Sequence, residues 1–204
     1  MEFESVVRRR RMVRAFAETP VAPEVVDHIL DLARRAPSAG YTQGQAFISV
    51  TRADLKAAIA AVCDEQEYTA RGFAPFISGA PVLIIPCTSE LAYHRRYQEA
   101  DKVNAEGNEI AWPVPYWFMD IGCAAMVVML AAVDAGLATA FAGAHDLPGF
   151  RAALGIPPEV TPVGVIALGY PAPDLRSPSL KRGRKPLAEV VHREGWQGGG
   201  RVEV

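Results

Sequence analysis

Apolar positions fall into two periodicities along the chain. Ala22, Val25, Val26, Ile29, Leu32, Ala33 and Ala36 recur at helical spacing, with Pro23 where a first-turn proline is tolerated, so a helix is predicted from about Pro23 to Ala36. Pro37 to Gln45 is rich in Gly, Ser and Thr and leads into a strand-like AFISVT at 46–51. A second helix is predicted from Ala53 to about Glu67, with Leu55, Ala58, Ile59 and Val62 on one face. Pro81 to Cys87 is a continuous apolar run, as expected of a central strand.

Ser89 to Pro115 breaks this pattern with mixed charges, aromatics and prolines, and reads as a long loop or helical excursion of the kind that carries function. Tyr116 to Ala135 is apolar almost all round and stops at Gly136, which predicts a central buried helix with glycine at C′. A strand at Ala138–Ala142, a short helix at Leu147–Leu154 and a strand at Val163–Leu168 follow. From Tyr170 the chain reads as an extended arm ending in an amphipathic fragment, LAEVVHREGW, and 198–204 (GGGRVEV) as a disordered tail. No internal repeat or linker interrupts it, so 1–204 is expected to be one domain.

Half of the 204 residues are hydrophobic, and Lys+Arg 21 against Asp+Glu 23 gives a formal charge of −2. That composition buries a core and excludes a disordered chain; the near-neutral balance argues against a nucleic-acid binder. Cys63, Cys87 and Cys123 are scattered without CxxC spacing, which fits neither a disulfide framework nor a zinc site. The N-terminus lacks a signal-peptide core, and the apolar run Ile121–Val133 falls short of the roughly 20 residues that span a bilayer, so a cytoplasmic protein without a membrane partner is expected.

The overall charge hides two cationic clusters. Arg8, Arg9, Arg10, Arg11 and Arg14 form one; Arg176, Lys181, Arg182, Arg184 and Lys185 form the other, with no acid inside either. If the termini meet, the two make one anion site, and arginine's planar fork suits a phosphate. Either cluster alone reads equally well as a solvated face. Neither GxGxxG nor GxxxxGK[ST] occurs, which disfavours a Rossmann dinucleotide site and a P-loop.

Six short motifs in order resemble the FMN-dependent nitroreductases: RRMVRAF at Arg10–Phe16, APSAGYTQGQAF at Ala36–Phe47, GLAT at Gly136–Thr139, LGIP at Leu154–Pro157, LGYP at Leu168–Pro171 and RGRKPL at Arg182–Leu187. The resemblance implies an α+β nitroreductase-like fold, with a central mixed, mostly antiparallel sheet flanked by helices. It also implies an intertwined homodimer with an extended C-terminal arm over 170–196. By position, Arg10, Arg182 and Arg184 would hold the FMN phosphate, Arg11 the ribityl chain or phosphate, and Arg14 the pyrimidine edge of the flavin. Pro37, Ser38, Ala39 and Gly40 would pack on the flavin of the other subunit, with Gln43 retained beside them. Ala142, Gly143 and Ala144 would meet the flavin N5 edge. Residues 89–115 fall where the family varies its substrate cover.

The implied activity is hydride transfer from NAD(P)H to a nitroaromatic, quinone or similar conjugated acceptor. No side chain is given a catalytic role, because the cofactor carries the chemistry. A flavin dehydrogenase or dehalogenase acting on one metabolite, and a non-catalytic flavin-binding module, stay open as alternatives. The chain departs from the family pattern at Met12, Tyr41 and Gly44-Gln45.

Remaining candidates read as structural. His94 has no carboxylate or cysteine partner in sight and is expected to be structural or at the surface. Asp120 and Asp134 mark helix ends or a buried hydrogen bond. Cys63 and Cys123 are placed on apolar faces as small hydrophobes. Trp112, Tyr116, Trp117 and Phe118 stack on a ligand or are plain core.

Overall fold

A computed structural model describes residues 1–196. The tail expected at 198–204 lies outside the described residues. Eight α-helices and five strands are present among them: α1 (Phe3–Arg9), α2 (Pro23–Ala33), β1 (Gln45–Val50), α3 (Ala53–Val62), α4 (Glu65–Thr69), β2 (Val82–Thr88), α5 (Glu90–Tyr97), α6 (Tyr116–Asp134), β3 (Ala138–Gly143), α7 (Leu147–Leu154), β4 (Thr161–Pro162), β5 (Gly164–Gly169) and α8 (Leu187–Val190).

The strands form one sheet in the order β1-β2-β5-β3, and among the described residues every ladder is antiparallel, with a single parallel bridge between Met12 and Thr139. β2 is central and buried along its whole length, as its unbroken apolar run predicts. It contains Pro86, which has no N–H for a ladder. The chain accommodates it with a break opposite: β4 and β5 line the same edge of β2, and between them Val163 donates its N–H to the Pro86 carbonyl at 2.9 Å.

Alternation along β2 and β5 sends side chains to two cores. Leu83, Ile85, Cys87, Val165 and Ala167 pack with Ile59 of α3 and Phe150 of α7. Val82, Ile84, Ile166 and Leu168 pack with Val26 and Ile29 of α2 and Val128 and Met129 of α6. The result is a helix–sheet–helix sandwich.

The structure differs from these expectations at several points. α2 ends at Ala33 rather than Ala36, because Ala36 precedes Pro37 and the α region is disfavoured there. The helix predicted over 53–67 is two, split at Cys63 and at Asp64, whose φ is +51°. α1 was hidden inside the arginine cluster. α6 is not buried all round: Phe118, Met119, Cys123 and Met126 lie exposed on one face. Cys123 is therefore open to solvent, whereas burial pushes the thiols of Cys63 and Cys87 up to about 12 and about 11. Finally, α6 has 19 residues and is apolar enough to cross a membrane, but its other face packs in the core against α2 and the sheet.

Candidate functional site

Arg10 closes α1 as its C-cap, and from there to Ala17 the chain is extended. Val13 donates its N–H to the Thr139 carbonyl at 2.9 Å, Ala17 to that of Tyr170 at 2.9 Å, and Ala15 accepts from the Ala172 N–H at 3.0 Å. The first arginine motif is thus fixed between the start of β3 and the chain leaving β5. Alternation buries Val13 and leaves Arg11 and Met12 exposed, with Arg10 and Arg14 half-buried.

Arg10 Nη1 and Arg14 Nε are buried without a hydrogen-bond partner among the described residues, as are Thr139 Oγ1 and Asp174 Oδ1. A buried donor left unpaired costs about 1–3 kcal/mol, so two guanidinium donors in one short segment call for an external acceptor. FMN, with its phosphate toward Arg10, would supply such acceptors, and the residues fit the group. The Arg14 guanidinium is further specified: it lies over the Phe73 ring at 5.1 Å and near Phe76 at 5.7 Å, while its backbone N–H donates to Asp174 Oδ2 at 2.9 Å.

Residues 37–43 form a tight loop between α2 and β1. Ser38 Oγ accepts the Gln43 N–H at 2.9 Å, and Thr42 Oγ1 donates to the Ala39 carbonyl at 2.6 Å. Gly40, Tyr41 and Gln43 all have positive φ, at 61°, 56° and 53°. For Tyr41, a non-glycine residue that is 76% exposed, this is strain of the kind that gathers at functional sites. The Ala39 N–H donates to Asp120 Oδ2 at 2.8 Å, the Gly40 carbonyl accepts from Arg96 Nε at 3.0 Å, and the Tyr97 ring lies against Gly40. Pro37 is exposed.

At the end of β3, Ala142 is buried, and Gly143 and Ala144 are half-buried, with the Ala144 N–H reaching the Val163 carbonyl only at a long 3.5 Å. The Arg182 and Arg184 side chains are exposed and have no hydrogen-bond or ion-pair partner among the described residues. The structure joins the 10–17 segment to residues 170–174, which lead into the second cluster.

The 89–115 excursion begins as α5, capped by Ser89 Oγ accepting from the Ala92 N–H, and continues as turns. Trp112 is the hub of its aromatic cluster, with Tyr97 at 4.5 Å, Trp117 at 5.8 Å and Tyr116 at 6.1 Å between ring centroids. His94 does have carboxylate partners, contrary to expectation: Nδ1 is 2.6 Å from Glu109 Oε1, and Nε2 is 3.4 Å from Glu90 Oε1. The Glu109 hydrogen bond raises the His94 pKa above 6.5, against partial burial and with help from Glu90. Trp112 Nε1–H, then His94, hold Glu109 below the usual carboxylate range. Arg96 grips Asp101 with two bonds of 2.7 Å and draws its carboxyl down to about 2.

Asp120, expected to mark a helix end or a buried hydrogen bond, is the carboxylate that ties these parts together. Asp120 Oδ2 accepts from both Ala39 N–H and Tyr93 O–H, each at 2.8 Å. Burial, then this bond, raise the Tyr93 pKa. A buried hydrogen bond was one reading for Asp120, but nothing local names partners 81 and 27 residues away.

A model of the nitroreductase family matches residues 7–170. The chain is 27% identical over 210 residues to the iodotyrosine deiodinase of Nematostella vectensis, covering 93% of this chain and 74% of that one. It is also 27% identical over 200 residues to a Methanothermobacter thermautotrophicus protein provisionally named NADH dehydrogenase/NAD(P)H nitroreductase, covering 96% and 88%. Among solved structures, B. megaterium NfrA2 superposes with a TM-score of 0.76 at 22% identity over 98% of this chain and 76% of that one. A nitroreductase family protein from Clostridium novyi NT gives 0.69 at 24% over 84% and 86%. At those identities the structural likeness is one of fold.

Proposed function

The chain belongs to the nitroreductase family, and on that premise we propose that it is an FMN-dependent oxidoreductase moving hydride from NAD(P)H to a nitroaromatic, quinone or similar conjugated acceptor. The observation that carries this reading is the pair of buried, unpartnered guanidinium donors on Arg10 and Arg14. Family members generally use FMN and are commonly homodimers with small-molecule substrates. Bound FMN would supply the two-electron hydride chemistry. The chain would supply its placement: Arg10, Arg182 and Arg184 would hold the phosphate, Arg11 would sit beside it, and Arg14, its guanidinium over Phe73, would hold the pyrimidine edge. Residues 37–40 and Gln43 would pack on the ring, and 142–144 would border its N5 edge.

A homodimer is supported by the exposed apolar face of α6, where Phe118 is 47%, Met119 52% and Met126 43% exposed, and where a Cβ on Gly122 would meet nothing within 4 Å. Leu187 and Trp196 after Tyr170 are exposed in the same way, as an arm over 170–196 that wraps a second copy would be. We place the protein in the cytoplasm as one domain over 1–204, with 89–115 covering the substrate.

A second reading, reductive removal of halide from a halogenated aromatic, is favoured by the deiodinase relative, which is as similar as the nitroreductase one. Anaerobic reduction of the reconstituted protein by NADH and NADPH, followed by a nitroaromatic or a halogenated phenol, separates the two. Nicotinamide-driven loss of the nitro compound supports the first; release of halide from the phenol at the expense of the reduced flavin, with no loss of the nitro compound, supports the second.

A further inference from the structure

The 37–43 loop and the excursion meet at a buried carboxylate to which the proposed activity assigns no role. Asp120, in α6, is 8% exposed. A carboxylate in such a place is costly unless hydrogen-bonded, and its two donors come from separate segments: the Ala39 N–H from the loop and the Tyr93 hydroxyl from α5. The loop has three residues at positive φ within four positions, two of them not glycine, an arrangement that persists only when its surroundings over-determine it. Those surroundings are visible. Asp120 holds the Ala39 peptide from the α6 side, while Arg96 binds the Gly40 carbonyl and Tyr97 fills the space a Cβ on Gly40 would take.

We propose that Asp120 and Tyr93 are positioning residues for the flavin loop, holding the Ala39 peptide so that residues 37–41 and the excursion act as one rigid body. The inference rests on reading 37–40 as the loop that packs on FMN. Held in place, the loop needs no ordering when FMN binds. Released, it populates other conformations, and the apparent affinity falls by the fraction that remains competent.

Two measurements on the full chain test this: hydrogen exchange at the amides of residues 39–43 in flavin-free protein, and FMN affinity by fluorescence quenching. Asp120→Ala is expected to accelerate exchange at Ala39 and to weaken FMN binding, each about tenfold or more, as befits loss of a charge-assisted buried hydrogen bond. Tyr93→Phe, which removes one donor and keeps the ring, is expected to change both about threefold to tenfold. Asp120→Asn retains an oxygen able to accept both bonds and should stay within about threefold of wild type. If Asp120→Ala does not fold, Tyr93→Phe against Asp120→Asn carries the same comparison. Accelerated exchange with undiminished FMN affinity, or exchange unchanged in Asp120→Ala, overturns the inference. Wild-type protein that binds no FMN overturns the flavin reading itself, a result distinct from wild type and variants binding equally well.

Discussion

Replacing Gly40 with alanine perturbs the loop at a point where the structure permits an estimate. Gly40 sits at φ +61°, and a Cβ built there would lie 2.6 Å from Tyr97 Cε2, 3.1 Å from Cζ and 3.2 Å from the hydroxyl oxygen. Two costs follow. Left-handed backbone costs an L-residue roughly 1–2 kcal/mol. The contact forces the Tyr97 ring aside, and that ring is hemmed in by Trp112, 4.5 Å away between centroids, so overpacking adds about 1–3 kcal/mol. Gly40→Ala should therefore cost about 2–5 kcal/mol in the wild-type background, but only about 1–2 kcal/mol when Tyr97 is already alanine. Urea unfolding of the four proteins of the cycle, compared by midpoint at unchanged slope, measures the difference. A coupling of about 1–3 kcal/mol is expected. A Gly40→Ala cost identical in both backgrounds would show that Tyr97 does not press on the loop.

Glu65 is buried and accepts hydrogen bonds from the N–H groups of Ile77 and Ser78 and from the Ser78 hydroxyl; Glu65→Ala should cost about 2–4 kcal/mol in urea unfolding, and a cost under 1 kcal/mol would deny that these buried bonds fix the turn before β2. Because the His94 pKa is raised, its ion pairs contribute fully below pH 6.5 and fade as pH rises through the raised value. Amide protection in 89–112 should therefore fall as pH rises above 6.5 in wild type and stay flat in His94→Gln; identical profiles contradict the pairing. Arg14→Ala should lower the midpoint potential of bound FMN in a dye-coupled titration, since a cation at the pyrimidine edge favours the reduced, more negative flavin; an unchanged potential removes Arg14 from that edge.

What the sequence made legible is what depends on near neighbours. The α7 boundaries, the β2 run and the glycine after α6 follow from periodicity and turn chemistry within a few residues, and the structure has them at Leu147–Leu154, Val82–Thr88 and Gly136. The break at Asp64 was hidden because one left-handed residue leaves the apolar spacing of α3 and α4 intact. The open face of α6 was hidden because an apolar composition does not say which side meets the core. Motif order located the arginine segment and the 37–43 loop, yet not the contacts that fix them. Asp120 with Ala39 and Tyr93, His94 with Glu109, and Arg14 over Phe73 are pairings across 15 to 81 residues. Only the folded chain brings them together.

The most direct test of the flavin reading is equilibrium binding of FMN to the flavin-free protein and to Arg10→Ala, with chromatographic identification of any flavin co-purifying with wild type. The expected result is FMN bound by wild type, and affinity lower by about ten- to a hundredfold in Arg10→Ala, as for loss of a charge-assisted phosphate contact. Recovery of FAD, no binding of FMN, or equal affinity in the two proteins would contradict the assignment of the buried Arg10 guanidinium donor to the FMN phosphate.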